Sequence, residues 1–232
     1  MAGKSYNQLC GLAYALDNIG ERWTLLIVRE LLPGPRRFSD LMDGLPGIST
    51  NLLTERLKDL EERGLLIRRK LPPPARTAVY ELTPTGLALE DTLFELGKWG
   101  SRFVPATPTG DAPLNVGSYA LTLKIHFRPE KARGLDETYE LQIDGEVLQV
   151  SVKGGNIEVR QHLDETPDVT IRTDIGAYLG LLQQHIRPQE ALDAGLVQVE
   201  GRPGGLERFI ALTAIPPREA SGAYQPSLFV GG

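Results

Sequence analysis

Between Arg36 and Tyr80 the chain alternates short apolar-periodic segments with hard breaks, and that order leaves few folds open. Ser39 is placed to cap a short helix running through Leu41 and Met42. Gly44, Pro46 and Gly47 end it, because glycine tolerates positive φ and proline cannot continue a helix. Ser49 stands where an N-cap belongs, just before Thr50-Asn51-Leu52-Leu53. Leu53, Leu57 and Leu60 recur at i, i+4 and i+7 and make one apolar face; Asn51, Thr54, Glu55 and Lys58 fall on the other. Gly64 follows Arg63 as a C-cap glycine would. Residues 65–70 read as a strand, Pro72-Pro73-Pro74 as a loop, and 78–82 as the returning strand.

Helix, turn, helix and basic hairpin, in that order, are the layout of a winged helix-turn-helix, which fits a helix into a DNA groove and lays a hairpin beside it. The charge distribution agrees. The whole chain is acidic, at −5. Residues 1–104 carry 14 Lys/Arg and 13 Asp/Glu, a net of +1; residues 105–232 carry 11 and 17, a net of −6. Within 36–76 there are 9 basic and 6 acidic residues, a net of +3. Phosphates supply much of the affinity for DNA, so a local basic surface on a near-neutral unit points to a dedicated docking patch and away from a non-specific coat. Asn51, Thr54 and Lys58, with Ser49 and Thr50 at the helix start, have the chemistry to read or flank base edges. Arg36, Arg37, Arg56, Arg68, Arg69, Lys70 and Arg76 suit phosphates, or the minor groove if the hairpin reaches it. Strand alternation points either Arg68 or Arg69 away from the DNA.

DNA readers of this type work as two-fold dimers, and a dimer element follows the hairpin. Thr83 caps a helix with Pro84 at N1. Leu89, Leu93, Leu96, Gly100 and Phe103 continue at spacings of three and four, and Leu87, Phe94 and Trp99 widen the apolar stripe. An N-terminal helix bearing Leu9, Leu12, Ala13 and Ile19 could pack across it.

The length of 232 residues suits two small domains. Residues 105–114, rich in Pro, Thr and small side chains, read as a linker between a first domain, 1–104, and a second, 115–232. Beyond the linker the pattern changes to alternation. Residues 119–127, 139–143, 147–152, 157–161 and 169–173 read as strands, with Asp144-Gly145 and Gly155-Asn156 at hairpin turns. Helices over 175–185, 190–194 and 206–212 and a strand over 196–200 complete an α+β domain. The fold class is therefore mixed α/β in two domains: a mainly helical winged unit, then a sheet covered by helices. No signal segment and no bilayer-length apolar run is visible, which leads us to expect a cytoplasmic protein without a membrane partner.

Several separated motifs resemble the HxlR type of bacterial regulator, a relative of the MarR group: CGLAYALDNIGERWTLLIVREL over 10–31, GPRRFSDL over 34–41, LPGIS over 45–49, LTERLKDLEERGL over 53–65 and YELTPTG over 80–86. The resemblance covers about residues 6–103. It implies a dimeric repressor or activator with the helix from Ser49 to Arg63 as recognition helix and 66–82 as wing. DVTIRTD over 168–174, ALDAGLVQVEG over 191–201 and LERF over 206–209 are similar to sterol carrier protein-like domains, over about 115–215. That likeness implies a sheet and helices enclosing an apolar tunnel for a lipid-like molecule, with Leu179, Leu182, Ile186, Phe209 and Leu212 as lining candidates; the same residues would also make an ordinary packed core. Together the two resemblances imply a one-component sensor. The alternative is a carrier of lipids or hydrophobic metabolites, dimerised by its N-terminal domain.

Cys10, the single cysteine, rules out an intrachain disulfide. Near a helix start it could form a reactive thiolate, and some HxlR-type regulators use a cysteine in this region as a switch; the more ordinary expectation is a small buried hydrophobe. His126, His162 and His185 lack the clustering of a zinc site. No GxGxxG, Walker, GxSxG or nucleophile–base pattern is present, so neither enzyme chemistry nor a cofactor or metal is expected.

Overall fold

The computed structural model describes residues 5–72, 76–103, 116–161 and 165–215. The expected linker, Pro73 and Pro74 of the hairpin tip, and His162 lie outside these residues. The chain begins with α1 (Gly11–Ile19), α2 (Thr24–Leu31), α3 (Phe38–Gly44) and α4 (Thr50–Glu62), then a hairpin of β1 (Leu66–Lys70) and β2 (Ala78–Leu82). Next come α5 (Pro84–Leu87) and α6 (Glu90–Gly100). The second unit is α7 (Val116–His126), β3 (Asp136–Ile143), β4 (Glu146–Lys153), β5 (Asn156–Arg160), β6 (Val169–Thr173), α8 (Ile175–Leu182), α9 (Pro188–Asp193), β7 (Val197–Gly201) and α10 (Gly205–Thr213).

The first unit is built as its residues dictate. The Ser49 hydroxyl accepts the Leu52 N–H at 3.3 Å and so caps α4. Leu53, Leu57 and Leu60 are fully buried with Ile27, Val28, Leu31 and Leu41. Gly64 takes φ +70°, ending the helix in the left-handed region that glycine occupies without strain. The wing strands pair antiparallel from Leu66 opposite Leu82 to Lys70 opposite Ala78, and Leu66 and Leu82 root the hairpin in the same core. Two local details differ from expectation. Arg37, not Ser39, is the N-cap of α3, because the Asp40 carboxylate turns back to accept the Arg37 N–H at 3.0 Å. The helix capped by Thr83 stops after one turn and restarts at Glu90 as α6.

The second unit is a five-stranded sheet in the order β5-β4-β3-β6-β7, antiparallel except for the β3–β6 pair. Tyr139, Leu141, Val150, Val159, Val169 and Ile171 join Leu181, Leu206 and Phe209 of the helices in a second core. Alternate residues make a polar sheet face, where Glu140, opposite both Gln149 and Thr170, accepts from the Gln142 amide.

One expected strand is a helix. Residues 119–127 alternate apolar and polar, the strand pattern, yet they fold as most of α7. This helix is buried on two sides. Tyr119, Ala120 and Leu123 enter the second core, while Gly97 of α6 lies so close to Leu121 and Ile125 that an added Cβ would sit 3.2 and 3.0 Å from them. A helix apolar on two faces loses its single-stripe periodicity.

α7 also carries the seam between the units. The Glu30 carboxylate is 2% exposed, 2.7 Å from the Arg29 guanidinium, and accepts the Gly117 N–H. A Cβ at position 117 would lie 2.7 Å from both the Arg29 carbonyl and Glu30 Oε1, so only glycine permits this approach. Glu90 receives the Lys124 ammonium and, at 3.4 Å, the Arg160 guanidinium. The Gln161 N–H donates to the Pro33 carbonyl at 2.8 Å.

Burial raises the Glu30 carboxyl above its ordinary value of 4.5, partly offset by Arg29 and Arg36. The folded state thus holds this proton to higher pH than the unfolded chain does. The contribution of Glu30 to stability is fully present below 4.5 and is lost as pH rises through the folded value. Glu30→Gln should therefore gain stability relative to the natural chain over an interval of rising pH that begins near the ordinary value of 4.5. Urea midpoints of the two proteins whose difference stays constant over that interval refute the assignment.

Candidate nucleic-acid interface

Because α4 spends its leucine face on the core, its opposite face must meet solvent. Ser49, Thr50, Asn51, Thr54 and Lys58 are all exposed there. Their hydrogen bonds divide the labour. Ser49 Oγ is used as the cap, and the Thr54 hydroxyl donates back to the Thr50 carbonyl at 2.8 Å. Lys58 lies 3.6 Å from Glu62, an exposed pair one helical turn apart. Asn51 is the second residue of α4, in its first turn, with a carboxamide that can both donate and accept.

The wing presents its cations unevenly. The Arg68 guanidinium lies over the Tyr80 ring, 5.9 Å from its centroid, and its backbone N–H donates to Glu61. Arg69 pairs with Glu81 across the hairpin. Of the two residues between which strand alternation left the choice open, Arg69 is thus the one neutralised within the hairpin. Lys70 and Arg76 are exposed at the distal end.

Two of the expected phosphate contacts are withdrawn from the accessible set. Arg36 is only 8% exposed: its backbone pairs with Tyr80 in a bridge that adds to the wing, and its side chain faces Glu146, 3.9 Å away. Arg56 has a side chain only 12% exposed, held by Asp59 at 2.9 Å, Glu55 at 3.0 Å and Glu21 at 3.3 Å. Both act as ties within the protein. Arg37 is exposed but committed to Asp40, 2.9 Å away.

The apolar residues proposed for dimer contact also divide. Leu93 is buried and Leu89 half-buried in their own unit's core. Leu96, Trp99 and Phe103 are 44, 55 and 47% exposed, with the Trp99 and Phe103 rings in edge contact at 4.8 Å. Leu9, Leu12, Tyr14 and Leu16 around α1 are exposed as well. Cys10, expected to be buried, is exposed at the N-cap of α1. The Ala13 and Leu12 N–H groups there lower its thiol below the ordinary value.

In the second unit, Leu182, Phe209 and Leu212 are packed into the core, where Phe209 meets the Tyr139 ring at 5.1 Å; Leu179 and Ile186 are half-buried. What the residue patterns missed is the seam through Glu30, Gly117, Glu90, Lys124 and Arg160. Its one sequence signal was the Arg29-Glu30 pair inside an otherwise apolar helix.

Residues 18–108 match the HxlR-like helix-turn-helix family, and residues 123–213 match the SCP-2 sterol transfer family. The chain is 36% identical over 98 residues to the HTH-type transcriptional regulator YodB of Bacillus subtilis, covering 42% of this chain and 88% of that one. It is 40% identical over 90 residues to the uncharacterized HTH-type transcriptional regulator YvaP of the same organism, covering 39% of this chain and 83% of that one. Among solved structures, the reduced form of YodB from B. subtilis is similar at 33% identity, with a TM-score of 0.38, over 44% of this chain and all of that one.

The pairings separate cations tied within the protein from cations left exposed. Arg56→Ala should cost stability, up to about 1 kcal/mol, with little change in any DNA salt dependence. Lys70→Ala should leave the melting temperature in place and reduce the slope of log K against log salt by about 1. Thermal melts combined with a salt titration of DNA binding check both; identical behaviour of the two variants contradicts the division.

Proposed function

The chain belongs to the HxlR-like helix-turn-helix family of transcriptional regulators, and on that footing we propose that it is a cytoplasmic, homodimeric one-component regulator that binds double-stranded DNA and senses a small apolar molecule. The observation that carries the DNA-reading part is the exposed polar face of α4 beside a wing bearing Arg68, Lys70 and Arg76. α4 enters the major groove with Asn51 and Thr54 toward base edges, and Ser49, Thr50 and Lys58 flank them. The wing cations and Arg37 take phosphates on either side, or the adjacent minor groove.

A dimer supplies two such heads for half-sites about one helical turn apart. Leu96, Trp99 and Phe103, extended by the apolar side chains around α1, form the dimer face; Leu89 and Leu93 support it from within. We take residues 1–104 as the reading and dimerising domain, 105–114 as the joint, and 115–232 as the sensing domain. The match of 123–213 to the SCP-2 family supports an apolar ligand for that second part.

Binding of the purified protein to DNA from its own promoter region, measured across salt, tests the reading. Specific binding of about nanomolar strength with a steep salt slope is expected. Weak, salt-insensitive binding to every sequence overturns it. Asn51→Ala should cost about 1–3 kcal/mol at operators carrying the base it reads and little at operators changed there. A uniform loss across all sequences removes Asn51 as a reader.

A further inference from the structure

A cleft of about 350 Å³ opens where the two units meet, in the size range of small-molecule sites. The first unit supplies Leu31 and Pro33 from the end of α2 and just beyond it, Leu82 from β2 and Leu87 from α5; the second supplies Arg160 at the end of β5 and Gln161 after it. The Gln161 to Pro33 hydrogen bond joins the two walls. None of these groups is among the proposed DNA contacts or among Leu96, Trp99 and Phe103 of the proposed dimer face; Leu87 lies at the edge of that apolar stripe.

The chemistry of the lining selects its occupant. The walls are mainly leucine and proline, so the body of a ligand must be apolar. Among the described residues, two charged side chains line the cleft. Glu81 is already neutralised by Arg69 across the wing. Arg160 is less firmly engaged: its guanidinium is 3.4 Å from both Glu90 and Glu158. Those separations exceed the 2.7–2.9 Å of a well-made charge-assisted bond. Arg160 is a partly exposed cation beside an apolar slot; its Nη1 also donates to the Val159 carbonyl at 2.9 Å, and its two carboxylate neighbours among the described residues stand no closer than 3.4 Å.

We propose that this cleft binds a small apolar monocarboxylate, its hydrocarbon part against Leu31, Leu82 and Leu87 and its carboxylate on Arg160. Such an occupant touches both units at once, so it binds best to the arrangement in which the seam is closed. Leu82 is the root of the wing, and a ligand that fixes Leu82 relative to β5 also fixes where Arg68 and Lys70 stand. Occupancy therefore shifts affinity for DNA, because the ligand discriminates between arrangements of the two units. This last step rests on the regulator reading; the binding site itself does not.

The test uses the full chain, with octanoate as probe and octanol as its uncharged counterpart, followed by titration calorimetry. Octanoate should bind, and octanol about tenfold more weakly or worse, as expected for loss of a charge-assisted bond. Arg160→Gln should reduce octanoate affinity by a similar factor. Leu87→Trp, at a 40% exposed position that tolerates a larger side chain, should fill the cleft and abolish binding with no change in melting temperature. Octanoate that fails to bind up to about 5 mM, or that binds Leu87→Trp as well as the natural chain, overturns the site. Promoter affinity should respond to octanoate in the natural chain and not in Leu87→Trp; an affinity that ignores octanoate while the cleft is occupied overturns the regulatory step. A protein that binds octanoate as stated but never binds its promoter keeps the site and loses the regulator.

Discussion

Burial of Leu53, Leu57 and Leu60 against Ile27, Val28, Leu31 and Leu41 fixes the rotation of α4 about its own axis. Each leucine taken out of water contributes about 1.5–3 kcal/mol, and turning the helix by one residue would forfeit most of that. The rotation so fixed decides which side chains face outward. Asn51, Thr54 and Lys58 are on the surface because the leucines are not. The wing inherits the same constraint, since Leu66 and Leu82 enter that core and carry the hairpin to its place beside the helix. Geometry at the candidate interface is thus a by-product of hydrophobic packing, with the polar groups adding chemistry to positions already set.

Electrostatics then prunes what packing presents. A cation count over 36–76 overstates the docking charge, because several arginines are spent internally. Arg56 bridges three carboxylates, Arg69 closes on Glu81, and Arg36 is buried behind the β2 edge. Positive charge concentrates instead on the wing, in Arg68, Lys70 and Arg76, while the solvent side of α4 sets Lys58 among Glu55, Glu61 and Glu62. A chain of net charge −5 can in this way offer a confined basic surface and repel polyanions elsewhere.

The parts legible in the sequence are those where one residue type meets one environment. α4 has a serine cap, a leucine stripe on one side only and a glycine stop, and each signal survives into the structure. The strands β3 to β6 keep their alternation because one sheet face packs on helices and the other is polar. The signals fail where a segment serves two partners. α7 faces the second core on one side and α6 on the other, so its apolar residues fell into a two-residue rhythm and read as a strand. Leu93 looked like a dimer contact by spacing but is consumed by its own core. Arg36 looked like a phosphate ligand by charge, but β2 and Glu146 cover it. Cys10 was expected inside, and the start of α1 leaves it in solvent. In each case the missing information was tertiary: what else lies against the residue, which spacing along one chain does not contain.

The single carboxylate of Glu90, shared by Lys124 and Arg160, bears on how such a molecule can be assembled or taken apart. Cut between α6 and α7, Glu90 loses both cations, Lys124 loses this carboxylate and Arg160 is left facing Glu158. Glu30 would lose the Gly117 amide along with them. A recombinant that joins this head to a foreign partner must reproduce a glycine against α2 and a cation opposite Glu90 to keep this seam.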